Sequence, residues 1–195
     1  MHTVNNTFIT NFKIGDNIHH NLEVLKSLYA SEELLPEKRK KYLEKPITVI
    51  LVCICEAIIF DFIERSKILT REGIIGLPEA SLIELRQSNT WNFEKKINLF
   101  KRLNILQTNN EHVYEYLEKL SWLRNRMHIQ NEKNRFEADE IKAFKKSRRV
   151  EAEKMLELLM KKISKLYPRP KQMHGYVKDF ELPWADYFDQ FGEPN

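Results

Sequence analysis

The chain has little glycine, and this shortage limits the folds that it can adopt. It holds 5 glycines in 195 residues, well below the typical share of about 7%. Sheets joined by tight turns usually need more glycine, because many tight turns place a residue at positive φ. The composition also excludes a collagen-like chain and a glycine-rich phosphate loop. Abundant Leu, Ile, Lys and Glu indicate a helical protein instead.

Cysteine is equally scarce, since Cys53 and Cys55 are the only two in the chain. Two cysteines exclude a disulfide framework, and a C-x-C pair with no nearby His cluster is not a zinc site. Both residues lie in an apolar run, which predicts reduced core residues in a cytosolic protein. We therefore expect neither a metal nor a cofactor.

Membrane and export signals are also missing from the sequence. The N-terminal residues lack the basic start and the apolar stretch of a signal peptide. The one tempting apolar segment, 47–63, is interrupted by Glu56 and Asp61 and is at the short end of the roughly 20 residues that a membrane span needs. We predict a buried helix here, with Asp61 on its exposed side, in a cytoplasmic protein without a membrane segment.

The charges are nearly balanced, with 32 Lys and Arg against 28 Asp and Glu and a net charge of +4. This balance allows an anionic partner without requiring one. Hydrophobic residues make up 42% of the chain, which is enough for a full core. At about 150 residues per domain, the length favours a single domain.

Apolar residues recur at helical spacing along most of the chain. This pattern predicts an all-α bundle of five or six helices over 1–170, followed by a C-terminal tail over 171–195. The first helix is expected to begin at Asp16 or Asn17, and the segment that is apolar all round should form the central helix. Further helices are predicted within 77–89, within 91–106, over 111–131, and from 134–137 to 167 with a bend near 147–149.

The tail is rich in aromatic and acidic residues. So many exposed rings would cause aggregation, so we expect the tail to pack on the bundle or to exchange across a dimer. A less favoured alternative is an acidic lid over a basic site.

The helix over 111–131 holds the residues with the clearest chemical potential. Arg124 falls on its apolar face, between Leu120 and Met127, and His128 follows one turn later. Because an unpaired buried guanidinium is prohibitive, Arg124 must meet an acid, carbonyl groups or a water-filled seam. A fixed cation beside an imidazole suits phosphodiester chemistry: the neutral His takes a proton from a ribose 2′-hydroxyl, and the guanidinium holds phosphate oxygens.

The segment 120–129, LSWLRNRMHI, resembles the signature helix of HEPN (higher eukaryotes and prokaryotes nucleotide-binding) domains. Those domains are small, usually dimeric helical bundles, and many are metal-independent endoribonucleases of toxin–antitoxin, abortive-infection and other defence systems. Their motif is an Arg, then directly a polar residue that is often Asn, and further on a His. The resemblance implies these roles for Arg124, Asn125 and His128. Only three residues separate the Arg from the His here, one fewer than the family's usual minimum.

The resemblance further implies a homodimer with a composite cleft and RNA cleavage by internal transesterification. His128 would act as base or acid, Arg124 as the electrostatic clamp and Asn125 as an orienting group, with an antitoxin protein to silence the site in a toxin pair. The short Arg–His spacing favours an alternative, a non-catalytic HEPN-like module that binds nucleotide, RNA or a protein partner. A helical DNA-binding regulator is weaker, because no basic recognition helix follows a short turn.

Other charged residues have both a structural and a functional interpretation. Glu56 is expected to be the structural charge partner of Arg124, with a proton relay as the alternative. The basic patch around 145–149 is either a solvated face or a track for RNA phosphates. Arg148 falls on an apolar stripe, so it is either a second inward cation or a mark of the bend. The residues predicted to bind RNA are Arg126, Lys145, Lys146, Arg148 and Arg149.

Overall fold

The computed structural model describes residues 1–68, 74–89, 92–108, 112–126, 139–170 and 177–188. Within these ranges the chain is an all-α bundle, as predicted, with one small two-stranded sheet. Six of the eight α-helices found there have nine residues or more, in line with the expected five or six, and a short 3-10 helix spans Asn6–Phe8. The elements are β1 (His2–Val4), α1 (Phe12–Leu34), α2 (Glu37–Lys40), α3 (Glu44–Ile68), α4 (Glu79–Gln87), α5 (Phe93–Arg102), α6 (His112–Asn125), α7 (Glu140–Ala143), α8 (Lys146–Leu166) and β2 (Phe180–Leu182).

Helix α3 lies at the centre of the bundle because it is apolar almost all round. It contacts α1, α4, α5, α6 and α8. Pro46 lies in its first turn, where the missing N–H of proline removes no helical hydrogen bond. Among the described residues, α3 is the one helix long and apolar enough to cross a membrane, but most of its apolar window is buried in the bundle. A core helix meets the same criterion, so this is weak support for a membrane span.

Helix α1 begins earlier than the sequence predicts. Its N-cap is Asn11, whose side chain accepts a hydrogen bond from the first turn, and not Asp16 or Asn17. Gly15 lies inside the helix and is buried against the tail. A Cβ at this position would lie 2.9 Å from a methyl carbon of Val177. The glycine therefore permits a close approach of the tail and does not form a turn.

Asp61 is buried, which contradicts its predicted position on the exposed side of the central helix. It is only 1% exposed, and its two carboxylate oxygens accept hydrogen bonds from the backbone N–H groups of Thr10 and Asn11, each at 2.9 Å. Burial raises the pKa of Asp61, and these two hydrogen bonds oppose the rise. The carboxylate thus holds the N-terminal segment against α3.

The last turns of α3 contain a second buried charge. Arg65 is 2% exposed, and it donates hydrogen bonds to the carbonyl oxygens of Tyr167 (2.6 Å) and Pro168 (2.8 Å). Burial lowers the pKa of Arg65 to about 10. These carbonyls follow the end of α8, so the guanidinium joins the C-terminal ends of α3 and α8.

The long bent helix predicted near the C-terminus is two helices in the structure. Helix α7 ends at Ala143 and α8 begins at Lys146, so the helical structure is interrupted just before the predicted bend at 147–149. Helix α8 ends at Leu166, two residues before Pro168. This end is expected, because proline has no backbone N–H to continue the helical hydrogen bonds. The predicted start at 134–137 lies outside the described residues.

The described part of the tail, 177–188, packs on the bundle of its own chain. Strand β2 pairs antiparallel with β1, a pairing that the sequence analysis does not predict. Trp184 is buried, and its indole N–H donates to Glu157 of α8 at 3.1 Å. The backbone N–H groups of Tyr187 and Phe188 donate to the same carboxylate at 3.0 and 2.9 Å. One fully buried carboxylate therefore receives three hydrogen bonds from the tail.

Replacing Glu157 with Gln is expected to loosen the tail. Glutamine keeps one acceptor oxygen, but its amide nitrogen is a donor that would face the N–H groups of the tail. We expect the free energy of unfolding, measured by urea denaturation, to fall by about 3 kcal/mol, with faster proteolysis within 177–188. Glu151→Gln, at a partly exposed position of the same helix, is the control and should change stability by less than about 0.5 kcal/mol. Equal stability of the two variants would contradict this assignment.

Candidate functional site

Helix α6 places Arg124 in its last turn, next to α3 and α5. The helix packs into the core through buried apolar residues, among them Leu117, Leu120 and Leu123. The helix ends at Asn125. His128, the third residue of the HEPN-like motif, lies outside the described residues.

The spacing from Leu120 places Arg124 in the middle of the apolar face of α6. The Arg124 side chain is nevertheless not buried there. It is 42% exposed. Because Arg124 is in the last turn of α6, its long side chain reaches the edge of the bundle and avoids the cost of full burial. The guanidinium therefore lies at the boundary between core and solvent, and not inside the core.

Glu56 of α3 is the acid that meets Arg124, which is the partner expected from the sequence. Arg124 Nε lies 3.2 Å from Glu56 Oε2, and the Glu56 side chain is 16% exposed. The Nη1 atom of Arg124 lies 3.5 Å from Oδ1 of the exposed Asn125. The carboxylate thus takes the Nε edge of the guanidinium, and Nη1 lies beside the exposed Asn125.

Lys96 of α5 is a third member of this group, and the sequence analysis does not single it out. Its Nζ atom lies 3.5 Å from Glu56 Oε1, and its side chain is 7% exposed. The ammonium is also 5.1 Å from the centre of the Phe60 ring. A signal was present in the sequence, because Lys96 falls at helical spacing between Phe93 and Phe100 on the buried face of α5. We call Glu56, Lys96 and Arg124 the charge cluster.

Cys53 lies one turn before Glu56 on the same face of α3. It is exposed, so the prediction of a core residue is wrong for Cys53 and right for the buried Cys55. Desolvation raises the pKa of the Cys53 thiol, the charge of Arg124 acts in the opposite direction, and Glu56 raises the pKa further. The pKa of the Cys53 thiol therefore depends on both charges of the Arg124–Glu56 ion pair.

The basic patch predicted to bind RNA is only partly a surface. Lys145 and Lys146 are exposed, and Arg126 and Arg148 are partly exposed. Arg149, in contrast, is 5% exposed. The inward cation on this helix is thus Arg149 and not Arg148, one residue away from the position that the apolar stripe predicts.

Arg149 is surrounded by carboxylates in the bundle. Its guanidinium nitrogens lie 2.8 Å from Glu32, 3.5 Å from Glu44 and 3.4 Å from Glu153. It also lies over the ring of Tyr29, 5.3 Å from the ring centre. Such a residue holds α1, α3 and α8 together, so the prediction that Arg149 binds RNA is wrong.

One group of side chains among the described residues has the composition of a metal site. His2, Glu157 and Asp186 offer ligand atoms that lie within 4.8 Å of one another. Lys161, however, contacts both carboxylates. An ammonium from the chain itself therefore already pairs with both acids, and the group is explained as part of the attachment of the tail.

A groove of about 510 Å³ lies between α1 and the described tail. Three of its charged side chains pair with one another, since Lys26 lies 2.7 Å from Glu23 and 2.8 Å from Glu181. The ring of His19 stacks on Phe180, with ring centres 4.4 Å apart. These contacts hold the tail against α1, so the groove offers a weaker case for a ligand site than the charge cluster.

No protein-family model, curated protein or solved structure matches this chain. The fold and the cluster define a helical bundle with one half-exposed arginine held at its edge by a shared carboxylate. The charge cluster and the Arg–Asn–His order of the sequence are therefore the features of this chain that bear on its function.

Cys53 can report on the Arg124–Glu56 pair in solution. The thiolate is the reactive form, and Arg124 lowers the pKa of this thiol whereas Glu56 raises it. At about pH 8, below the raised pKa, we expect Arg124→Met to slow the reaction of Cys53 with a disulfide reagent about threefold and Glu56→Gln to accelerate it by a similar factor.

The exposed Arg39 of α2 provides the matched control, and Arg39→Met should leave the rate unchanged. Cys53→Ser should remove the fast signal, because Cys55 is fully buried and should react only after unfolding. A rate that is insensitive to both Arg124→Met and Glu56→Gln would contradict the geometry of the cluster.

Proposed function

We propose that the chain is a HEPN-like, metal-independent endoribonuclease. The observation that supports this proposal is Arg124, held half exposed beside Asn125 by the Glu56 carboxylate. A guanidinium fixed through Nε keeps its terminal N–H groups for the oxygens of a phosphate. The sequence adds His128 four residues later, at the spacing of one helical turn.

The proposed reaction is an internal transesterification of RNA. His128 takes the proton from a ribose 2′-hydroxyl, the 2′-oxygen bonds to phosphorus, and the bond from phosphorus to the 5′-oxygen breaks. An imidazolium returns a proton to the leaving 5′-oxygen, so the products are a 2′,3′-cyclic phosphate and a 5′-hydroxyl. Arg124 stabilises the charge that develops on the phosphate oxygens, and Asn125 orients the phosphate by hydrogen bonding.

The biological setting of the proposal follows from the same resemblance. We place the activity in a cytoplasmic homodimer with two copies of Arg124, Asn125 and His128 around one cleft. It would act in a toxin–antitoxin, abortive-infection or other defence system, with an antitoxin protein as a further partner in the first case. The exposed Lys145 and Lys146 and the partly exposed Arg126 and Arg148 remain candidates for contacts with RNA phosphates.

A second candidate function is a non-catalytic HEPN-like module that binds nucleotide, RNA or a protein partner. Two observations favour it: Arg124 already has an acid partner, as a structural ion pair would, and the Arg–His spacing is one residue short. In such a module Arg124 would still bind phosphate, but no proton transfer would follow.

A cleavage assay tests the nuclease proposal. The full chain is incubated with mixed RNA in the presence of EDTA, and the ends of the products are analysed. We expect cleavage with 2′,3′-cyclic phosphate ends, and a loss of at least about 100-fold in rate for Arg124→Ala and for His128→Ala. The controls Arg39→Ala and His112→Ala change exposed residues and should retain activity, with folding checked by circular dichroism.

Two results would contradict the nuclease. If the parent binds RNA without cleaving it, and a folded His128→Ala variant behaves in the same way, the chain is the binding module. Tight binding of duplex DNA without cleavage would contradict both candidates and support a DNA-binding regulator.

A further inference from the structure

Lys96 is a buried ammonium whose presence in the bundle needs a physical reason. Its side chain is 7% exposed, and burial of such a group is costly without a charged partner. Glu56 supplies that partner at 3.5 Å. The Phe60 ring, 5.1 Å away, adds a cation–π contact. Lys96 therefore acts on its surroundings through Glu56.

Glu56 is shared between two cations that belong to different helices. Its Oε1 atom faces Lys96 of α5, and its Oε2 atom faces Nε of Arg124 of α6 at 3.2 Å. Two positive charges thus oppose one negative charge, so the charge cluster has a net charge of +1. An ordinary structural ion pair would instead be neutral.

The excess charge is available to solvent at Arg124. The Arg124 side chain is 42% exposed, whereas Glu56 is 16% and Lys96 is 7% exposed. An anion that approaches from solvent meets the guanidinium first. Without Lys96, the full charge of Glu56 would act on Arg124 alone, and the local field would favour an anion less.

We propose that Lys96 is a positioning residue that keeps Arg124 available to a phosphate group by neutralising Glu56. The ligand class is a phosphate monoester or diester, and its identification with the RNA backbone rests on the proposed function. Lys96 itself does not touch the phosphate. It orients the Glu56 carboxylate from the buried side and sets the net charge of the cluster at the surface.

The test is a phosphate titration of the full chain and of four variants. These are Lys96→Met, Lys96→Arg, Glu56→Gln and the double variant Lys96→Met/Glu56→Gln. Inorganic phosphate, and separately a short 2′-O-methyl RNA that cannot undergo transesterification, is added while the Nε–Hε NMR signal of Arg124 is followed. An Arg124→Met variant assigns that signal by its loss. We expect Lys96→Met to weaken phosphate binding about tenfold and Lys96→Arg to retain it. Glu56→Gln should strengthen binding.

The double variant Lys96→Met/Glu56→Gln distinguishes a charge effect from a structural one. It has the same net charge as the parent cluster, so we expect its phosphate affinity to return to within about threefold of the parent value. If it is as weak as Lys96→Met, Lys96 acts by supporting the fold and the proposal is overturned. If the Lys96→Met variant does not fold, the Glu56→Gln variant is the deciding test. The proposal is overturned if Glu56→Gln binds phosphate with the same affinity as the parent chain or more weakly.

The outcome is separable from that of the nuclease assay. Phosphate binding that follows this charge order in a chain that leaves RNA intact would support the role of Lys96 and contradict the nuclease. RNA cleavage with an unchanged kcat/KM in a folded Lys96→Met variant would support the nuclease and overturn the role of Lys96. Absence of phosphate binding by the parent would also overturn it.

Discussion

Charged side chains inside this bundle must each be satisfied by another part of the chain, because an unpaired buried charge costs several kcal/mol or more. Helices α3 and α8 contain most of these residues, and each partner is a different segment. Asp61 holds the N-terminal segment, Arg65 holds the backbone that follows α8, and Glu157 holds the tail. The core is apolar, but the peripheral segments are positioned by buried carboxylates and guanidinium groups.

The charge cluster follows the same rule with one difference. Glu56 lies near the edge of the bundle and serves two cations, whereas Asp61 is fully enclosed and accepts two backbone hydrogen bonds. The enclosed carboxylate therefore fixes structure, and the shared carboxylate leaves positive charge at a half-exposed Arg124. This imbalance is the physical property on which the proposed binding of an anionic ligand rests.

The exposed thiol of Cys53 and the aromatic ring of Phe60 extend this surface along α3. Cys53 is exposed and Phe60 is 39% exposed, so the central helix is not covered completely by the described elements. The uncovered face contains Glu56 as well. The proposed site is thus formed where the most apolar helix of the chain reaches the surface.

The sequence determined the all-α class through its low glycine content and helical periodicity, and the central position of α3 through its apolar composition. It also indicated the Arg124–Glu56 pair, because an unpaired charge is costly and Glu56 interrupts the most apolar helix. The tertiary structure decided how far each residue lies from the edge of the bundle. Arg124 lies on the apolar face by its spacing and is half exposed, whereas Asp61 was expected on the exposed side and is enclosed. Spacing does not distinguish these cases, because the end of a helix and its middle have the same periodicity but different neighbours. The role of Lys96 also needed the packing of α5 against α3. No local pattern specifies which distant carboxylate a buried ammonium will meet.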